Sequence, residues 1–314
     1  MEDEFVVVSG GRLSAVFDGH GGGGVSRYLR DRMHVLISEE LSKQEASHRA
    51  GGRLKKFMFG KGLKAGSAAV AEAEPQPTAG SGRPRYDVSG AGDLPLSMVE
   101  DALRASFARV DAEILADDEY EYQGSTAVAT LLHESRAGGR TLLSANVGDS
   151  RGVLSRSGRA VDLTRDHKPN DEREKARILA MGERVEYDHY CKVWRVRNLS
   201  LSRAIGDRFA KPAVTGEVEV KRFPLRGEDE FVLLASDGLW DVMSSQEVVS
   251  YVHKRLDAAP KDGADVHSDE DMANLRYLRR KNMSRFIANE ALRRGSGDNI
   301  SVVIVWLKEF DHAL

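Results

Sequence analysis

Carboxylates stand beside glycine at the ends of short apolar runs in this 314-residue chain. Asp18-Gly19 closes the run Leu13–Phe17, and Gly148-Asp149 closes Thr141–Val147. Asp237-Gly238 follows Phe231–Ala235, and Gly297-Asp298 precedes Ile300–Leu307. Glu2 and Asp3 stand in front of another run, Phe5–Val8. Asp and Gly are ordinary turn residues, so any one pair reads as a turn. Several together read differently, because strand ends on one edge of a sheet converge in space. Carboxylates gathered there repel one another and hold on to protons unless a cation neutralises them. Oxygen donors without Cys or His pairs point to Mg²⁺ or Mn²⁺ rather than zinc. A neighbouring glycine lets the backbone come close, and its carbonyl can itself coordinate. Two such ions about 3.5–4 Å apart can share a water, lower its pKa and neutralise a bound phosphate.

The stretch Val16-Phe17-Asp18-Gly19-His20-Gly21-Gly22-Gly23-Gly24 adds an imidazole to the first of these turns. His20 can donate a proton to a leaving alkoxide or simply cap the turn, and the residues alone leave both open. The glycines feed a helix, so a phosphate-cradling loop is conceivable there. No Gly-Lys-Ser/Thr follows, and a nucleotide P-loop is not supported.

Residues so far apart in sequence need a framework to meet. The apolar runs Phe5–Val8, Leu13–Phe17, Ala127–Leu132, Thr141–Val147, Gly152–Leu154, Phe231–Ala235 and Ile300–Leu307 are rich in Val, Leu and Ile and bounded by Gly, Asp and Ser, which predicts strands. Several lie a turn apart and favour antiparallel hairpins. Helical spacing marks Val25–Leu41, Ser97–Leu115, Asn170–Met181 (with Gly182 as its stop), Ser245–Leu256 and Ser284–Arg293. Ser244 and Glu247 form a capping box ahead of the fourth. Strand pairs mixed with long helices predict an α+β domain of two sheets back to back with helices outside. Residues 43–96 lack periodicity, are rich in Gly, Ala, Ser and Pro, and read as a disordered insertion. The basic patch Arg53-Leu54-Lys55-Lys56 within it reads as solvated loop rather than a docking motif. A second polar insertion spans Asp257 to Met272. Strand patterns on both sides of each insertion need one another, so residues 1–314 are expected to form a single domain.

Bulk properties exclude several classes. The net charge of −3 gives no electrostatic case for nucleic acid or anionic membranes. No run approaches the roughly 18–20 apolar residues of a membrane helix. The acidic start Met1-Glu2-Asp3-Glu4 lacks the basic region of a signal peptide. The one cysteine, Cys191, allows no disulfide framework and no Cys-rich zinc site. A soluble intracellular monomer is expected, in the cytosol, the nucleus or an organelle.

Eight segments in order carry a family resemblance: Met1-Glu2-Asp3, Val16 to Gly22, Gly124-Ser125-Thr126-Ala127, Ala145 to Arg151, Leu163-Thr164-Arg165-Asp166-His167-Lys168-Pro169, Leu201-Ser202-Arg203-Ala204-Ile205-Gly206-Asp207, Leu234 to Asp241 and Gly297 to Ser301. Together they resemble the metal-dependent Ser/Thr protein phosphatases of the type 2C family. The resemblance implies a four-layer α-β-β-α sandwich of two antiparallel sheets flanked by helices, with the site between the sheets. It implies that Asp18 bridges two Mg²⁺ or Mn²⁺ ions, that Glu2 and the Gly19 carbonyl ligate one, and that Asp237 and Asp298 hold the other. Asp3 would stand behind Glu2, and Asp149, Asp237 and Asp241 would take a weaker third ion. His20 would be the general acid, and a hydroxide bridging the ions would attack phosphoserine or phosphothreonine in line.

Two departures qualify this. The family usually carries a phosphate-binding arginine a few residues before its Met-Glu-Asp, a position this sequence does not reach, so a truncated first strand is expected. The insertion at 43–96 is long for the family. Residues after Asp166 are similar to the family's flap, where Trp194 fits a strand pattern and is expected in the core, with no hormone-receptor contact. Two other functions remain in view: a catalytically impaired phosphatase-like scaffold, if the upstream arginine is truly absent, and another two-metal hydrolase such as a phosphodiesterase or nuclease, which the near-neutral charge disfavours.

Overall fold

Alternate residues of the apolar runs belong to different cores. Leu13, Ala15 and Phe17 bury in one cluster, while Val16 between them buries in another. Phe231, Leu233 and Ala235 likewise part from Val232 and Leu234. Side chains of a strand point to opposite faces in turn, so each run must be covered on both sides. Two sheets packed face to face, with helices on their outer faces, meet that demand.

The computed structural model describes residues 1–59, 94–258 and 269–308. Within them the strands are β1 (Glu4–Val8), β2 (Leu13–Phe17), β3 (Gly19–His20), β4 (Gly124–Ser125), β5 (Ala127–Glu134), β6 (Arg140–Val147), β7 (Arg151–Arg156), β8 (Arg159–Asp162), β9 (Glu186–Asp188), β10 (Val193–Arg195), β11 (Ile205–Gly206), β12 (Glu219–Pro224), β13 (Asp229–Ala235) and β14 (Val302–Trp306). The helices are α1 (Gly24–Phe59), α2 (Leu96–Leu115), α3 (Glu172–Ala180), α4 (Asp237–Trp240), α5 (Ser245–Asp257), α6 (Asp269–Lys281) and α7 (Met283–Arg293).

One sheet has the order β1-β2-β5-β6-β12 and the other β14-β13-β7-β8, with every neighbouring pair antiparallel. Val16, Val128 and Leu142 of the first meet Leu154, Val232, Leu234 and Val303 of the second across the sandwich. Val25, Leu29, Met33 and Leu36 of α1 and Val99, Leu103, Phe107 and Val110 of α2 cover the outer face of the first sheet. Val248, Val249 and Val252 of α5 and Met283 and Ile287 of α7 cover the second. The result is the expected four-layer α-β-β-α sandwich.

The helical spacings resolve as expected where an apolar stripe marks them. At the start of α5 the Glu247 amide donates to Ser244 Oγ at 3.3 Å, and the Ser244 amide donates to Glu247 Oε2 at 2.9 Å. Asp171 caps α3 by accepting from the amides of Arg173 and Glu174. Two insertions behave differently. Helix α1 does not stop near residue 43 but continues to Phe59, so the basic patch at 53–56 lies on helical backbone. Residues 60–93 of that insertion lie outside the described residues. In the second insertion, α6 begins at Asp269. Its apolar periodicity is weak, but Asp269, Glu270 and Asp271 open it and Arg279, Arg280 and Lys281 close it. That is the charge order the helix dipole favours, a signal that apolar spacing does not carry. The last strand is shorter than its apolar run: before Val302 the Ser301 amide donates to the Ser236 side chain, Oγ at 3.0 Å, in place of a ladder partner.

Strand β1 pairs with β2 along its whole length, from Glu4 opposite Phe17 to Val8 opposite Leu13. It lies at the edge of its sheet, and Phe5 is 57% exposed. Phe107 of α2, by contrast, is wholly buried in the core that α1 and α2 form with the first sheet. Phe107→Ala is expected to remove about 3–5 kcal/mol of stability in urea unfolding, whereas Phe5→Ser is expected to stay within about 1 kcal/mol.

Candidate metal centre

The ends of both sheets open onto one cavity of ≈ 430 Å³. Asp18 leaves β2, Asp149 follows β6, Asp237 starts α4 directly after β13, and Asp298 stands before β14. All four line the cavity, together with Glu2, Gly19 and His20. The expected residues that do not line it are Asp3, which is buried, and Asp241, which is exposed one helical turn beyond Asp237.

Short-range contacts hold each of these in place. The Asp18 amide donates to Thr126 Oγ1 at 3.2 Å, and the Asp18 carbonyl accepts from the Thr126 amide at 2.9 Å. A Cβ on Gly19 would lie 2.7 Å from both the Glu2 carbonyl oxygen and Ser26 Oγ, so only glycine lets these segments meet. Ser26 Oγ donates to that same carbonyl, and the Gly22 amide donates to Glu2 Oε2 at 3.3 Å. Ser236 Oγ donates to Asp3 Oδ2 at 2.8 Å and accepts from the Ser301 amide at 3.0 Å. Around Asp149, the Gly148 amide donates to His167 Nδ1 at 3.1 Å, and the Gly148 carbonyl accepts from the His167 amide at 3.0 Å. Burial, then the nearby Arg203 guanidinium, pushes the His167 imidazole down to about 4, so it stays neutral and Nδ1 keeps its lone pair.

The electrostatics of the cavity call for a cation. Burial and the charges of Asp3, Asp237 and Asp149 push the Asp18 carboxyl up to about 10. Burial and Asp149 push Asp237 up to about 7, against the pull of Lys168. Asp3 and Asp241 are also raised, each chiefly by burial. As a carboxylate, Asp3 has a buried Oδ1 with no hydrogen-bond donor among the described residues. An all-oxygen donor set with excess negative charge and an orphaned buried oxygen fits a hard divalent ion such as Mg²⁺ or Mn²⁺. Among the described residues no three acidic or imidazole side chains already close on a common point. Asp149 is turned instead onto the Lys168 ammonium, and Asp298 Oδ1 accepts from the Asn299 amide at 2.7 Å. Like charges gain nothing by approaching further without a counter-ion.

Sequence reasoning assigned no role to two residues of this region. Asp207 is fully buried at a left-handed backbone position, φ 52°, and lies 2.8 Å from His20 Nε2. Burial alone would lower the His20 imidazole, but the hydrogen bond and charge of Asp207, with Asp149 and Glu2 behind, raise it. A Cβ at Gly124 would fall 2.3 Å from the Asp207 carboxylate, so that glycine makes room for the pair. Lys168 is the second. Both belong to segments quoted for the family resemblance, but nothing in their order along the chain names a partner.

A flap overhangs the cavity. Arg195 and residues Asn198 to Leu201 line it from that side. Glu174 of α3 ties the flap base down: its carboxylate takes Arg203 at 2.6 Å, Arg177 at 2.9 Å and the Ser202 hydroxyl at 3.0 Å. Burial would raise this carboxyl, but Arg203 and Arg177 hold it at about 2. Trp194, expected in the core, instead sits on the β9–β10 hairpin, 36% exposed and 5.1 Å from the Tyr187 ring across the strand pair. The strand pattern was real, but a two-stranded hairpin has no second sheet to bury it. Cys191 is exposed in the turn of this hairpin.

Comparisons with known proteins agree with the geometry. The family model for protein phosphatase 2C matches residues 9–300. Protein phosphatase 2C 56 of Arabidopsis thaliana is 34% identical over 313 residues, covering 98% of this chain and 61% of its own length. A solved structure described as a C. elegans sex determining protein superimposes with a TM-score of 0.67 at 25% identity, over 98% of this chain and 61% of that one. Serine-threonine phosphatase 2C from Toxoplasma gondii shares the fold with a TM-score of 0.61 at 22% identity, over 98% and 90% of the two chains. The chain spans about three fifths of the length of curated relatives it matches. The match of the family model over most of the chain, with relatives of this identity, shows that this chain belongs to the protein phosphatase 2C family.

Proposed function

We propose that the chain is a metal-dependent phosphatase that hydrolyses phosphoserine and phosphothreonine in proteins. The observation that carries this is the meeting of Glu2, Asp18, Asp149, Asp237 and Asp298 in one open cavity with His20 on its wall. Membership of the family and the names of the relatives support it.

Asp18 would bridge two cations, with Glu2 and the Gly19 carbonyl on one and Asp237 and Asp298 on the other. Asp3 would anchor the first group from behind, and Asp149, Asp237 and Asp241 would take a weaker third ion. When bound, the ions supply an acidified water and neutralise the charge of the phosphate. Asp207 holds His20 Nε2 and favours the protonated ring, which leaves Nδ1 as the ring donor for the departing seryl or threonyl oxygen. The flap side of the cavity, Arg195 and Asn198 to Leu201, would bound the space a phosphoprotein segment enters. Nothing in the cavity favours an impaired scaffold, since the carboxylates such a relative would shed are retained.

Hydrolysis of p-nitrophenyl phosphate and of a phosphothreonine peptide should require Mn²⁺ or Mg²⁺ and stop with EDTA. Activity on a phosphodiester but not on the phosphopeptide would overturn the proposal. Loss of an orienting partner near a metal costs about 10–100-fold, so Asp237→Asn, which removes a direct ligand, should cost at least about 100-fold in turnover. His20→Ala should slow phenyl phosphate, with its poor leaving group, by about 100-fold or more while sparing p-nitrophenyl phosphate. Asp207→Asn should shift the same ratio in the same direction by less.

The raised carboxyls also set a pH dependence. A carboxyl whose pKa is higher folded than unfolded binds more protons in the native state, so stability falls as pH rises through that interval. For Asp237 the interval runs from 3.8 to about 7. In EDTA, Asp237→Asn should therefore melt higher than the parent at pH 8 and lose that advantage by pH 4, as read by thermal unfolding.

A further inference from the structure

We propose that Lys168 is the resident counter-ion of the acidic cavity and competes with the weaker third divalent cation for Asp149 and Asp237. The proposal rests on the metal-dependent reading above and concerns how this chain tunes it. Lys168 Nζ forms an ion pair with Asp149 Oδ2 and lies 3.9 Å from Asp237 Oδ2. These are two of the three residues assigned to the third ion. The remaining one, Asp241, also acts on Lys168 electrostatically.

An ammonium and a divalent cation cannot share these oxygens. The ammonium brings one charge and three donors; Mg²⁺ or Mn²⁺ needs the same lone pairs as ligands. Binding at this position therefore means displacing Lys168. The surrounding contacts suit an exchange. The base of the residue is fixed, because the His167 amide and Nδ1 both engage Gly148, and the His167 carbonyl accepts from the Ser202 amide at 2.8 Å and Ser202 Oγ at 2.9 Å. Pro169 follows directly and locks φ at its own position. The side chain is not fixed in the same way. It is 32% exposed, against 3% for Asp149, so the head can swing to solvent on its four-carbon stem while Asp149 stays. Asp18 and Glu2 have no ion pair with Lys168 among the described residues, and Asp237, at 3.9 Å against the direct pair with Asp149, is the one ligand of the paired ions that the competition reaches. The weakness of the third ion is then a property of Lys168 rather than of a poor ligand set.

The metal-free protein titrated with Mn²⁺ and followed by electron paramagnetic resonance should show a tight class of sites and a weaker one. Lys168→Met should tighten the weaker class by about tenfold or more, because close charge pairs couple at least that strongly, and change the tight class by less. Lys168→Gln should do the same, and Lys168→Arg should not. In the parent, the ¹⁵N-ammonium resonance of Lys168 should move with the weaker class during a Mg²⁺ titration, a readout that needs no variant. Unchanged or weaker binding in both neutral variants, or a Lys168 signal that follows the tight class, would overturn the role of Lys168 while leaving the phosphatase proposal standing. A parent that binds no Mn²⁺ and hydrolyses no phosphopeptide would sink both.

Discussion

Carboxylates crowded into a partly buried space cannot all be ionised unless positive charge is placed among them. Every distinctive feature of this site follows from that constraint. Four different segments carry Asp18, Asp149, Asp237 and Asp298 to one cavity, and burial pushes the innermost of them far above its ordinary range. A folded chain that keeps such a cluster gives up stability for it, and places the group where a ligand of opposite charge recovers the loss. The molecule supplies part of the compensation itself, through Lys168 on Asp149. The all-oxygen character of the rest decides what kind of ion completes it.

The sandwich makes the crowding tolerable because its three apolar layers do not depend on the acidic edge. The inner core of Val16, Val128, Leu154, Val232 and Leu234 and the two helix-covered faces are closed by aliphatic packing. Strand termini can then be used for chemistry. The turn residues are clamped by hydroxyls and amides rather than by packing: Thr126 on the Asp18 backbone, Ser236 between Asp3 and Ser301, and His167 on Gly148. Such contacts fix positions to a fraction of an ångström without adding charge, which is what a ligand shell needs.

Most of the framework was legible in the sequence, because period-two alternation and helical stripes report burial directly. The acidic turns were legible too, since each joins a carboxylate to a glycine at a strand end. What escaped lies where local pattern and tertiary role part company. Trp194 has the neighbours of a core strand but sits on a hairpin without a covering sheet. Helix α6 is held by charges at its ends and shows little apolar rhythm. Residue 43 marks a change in composition, yet the α1 backbone runs through it, because Ala, Lys, Arg and Glu sustain a helix without an apolar face. Asp207 and Lys168 were within reach as residues but not as partners. A contact across 187 positions, such as that between His20 and Asp207, leaves no trace in spacing.

The position of Cys191 has a practical consequence. It is the chain's sole thiol, and it lies exposed at the tip of the hairpin that leads into Arg195. A maleimide fluorophore or spin label would therefore attach at one defined point without any prior removal of other cysteines. Its mobility and solvent polarity would follow the overhang in real time, while Glu174 ties Ser202 and Arg203, beyond the hairpin, to α3.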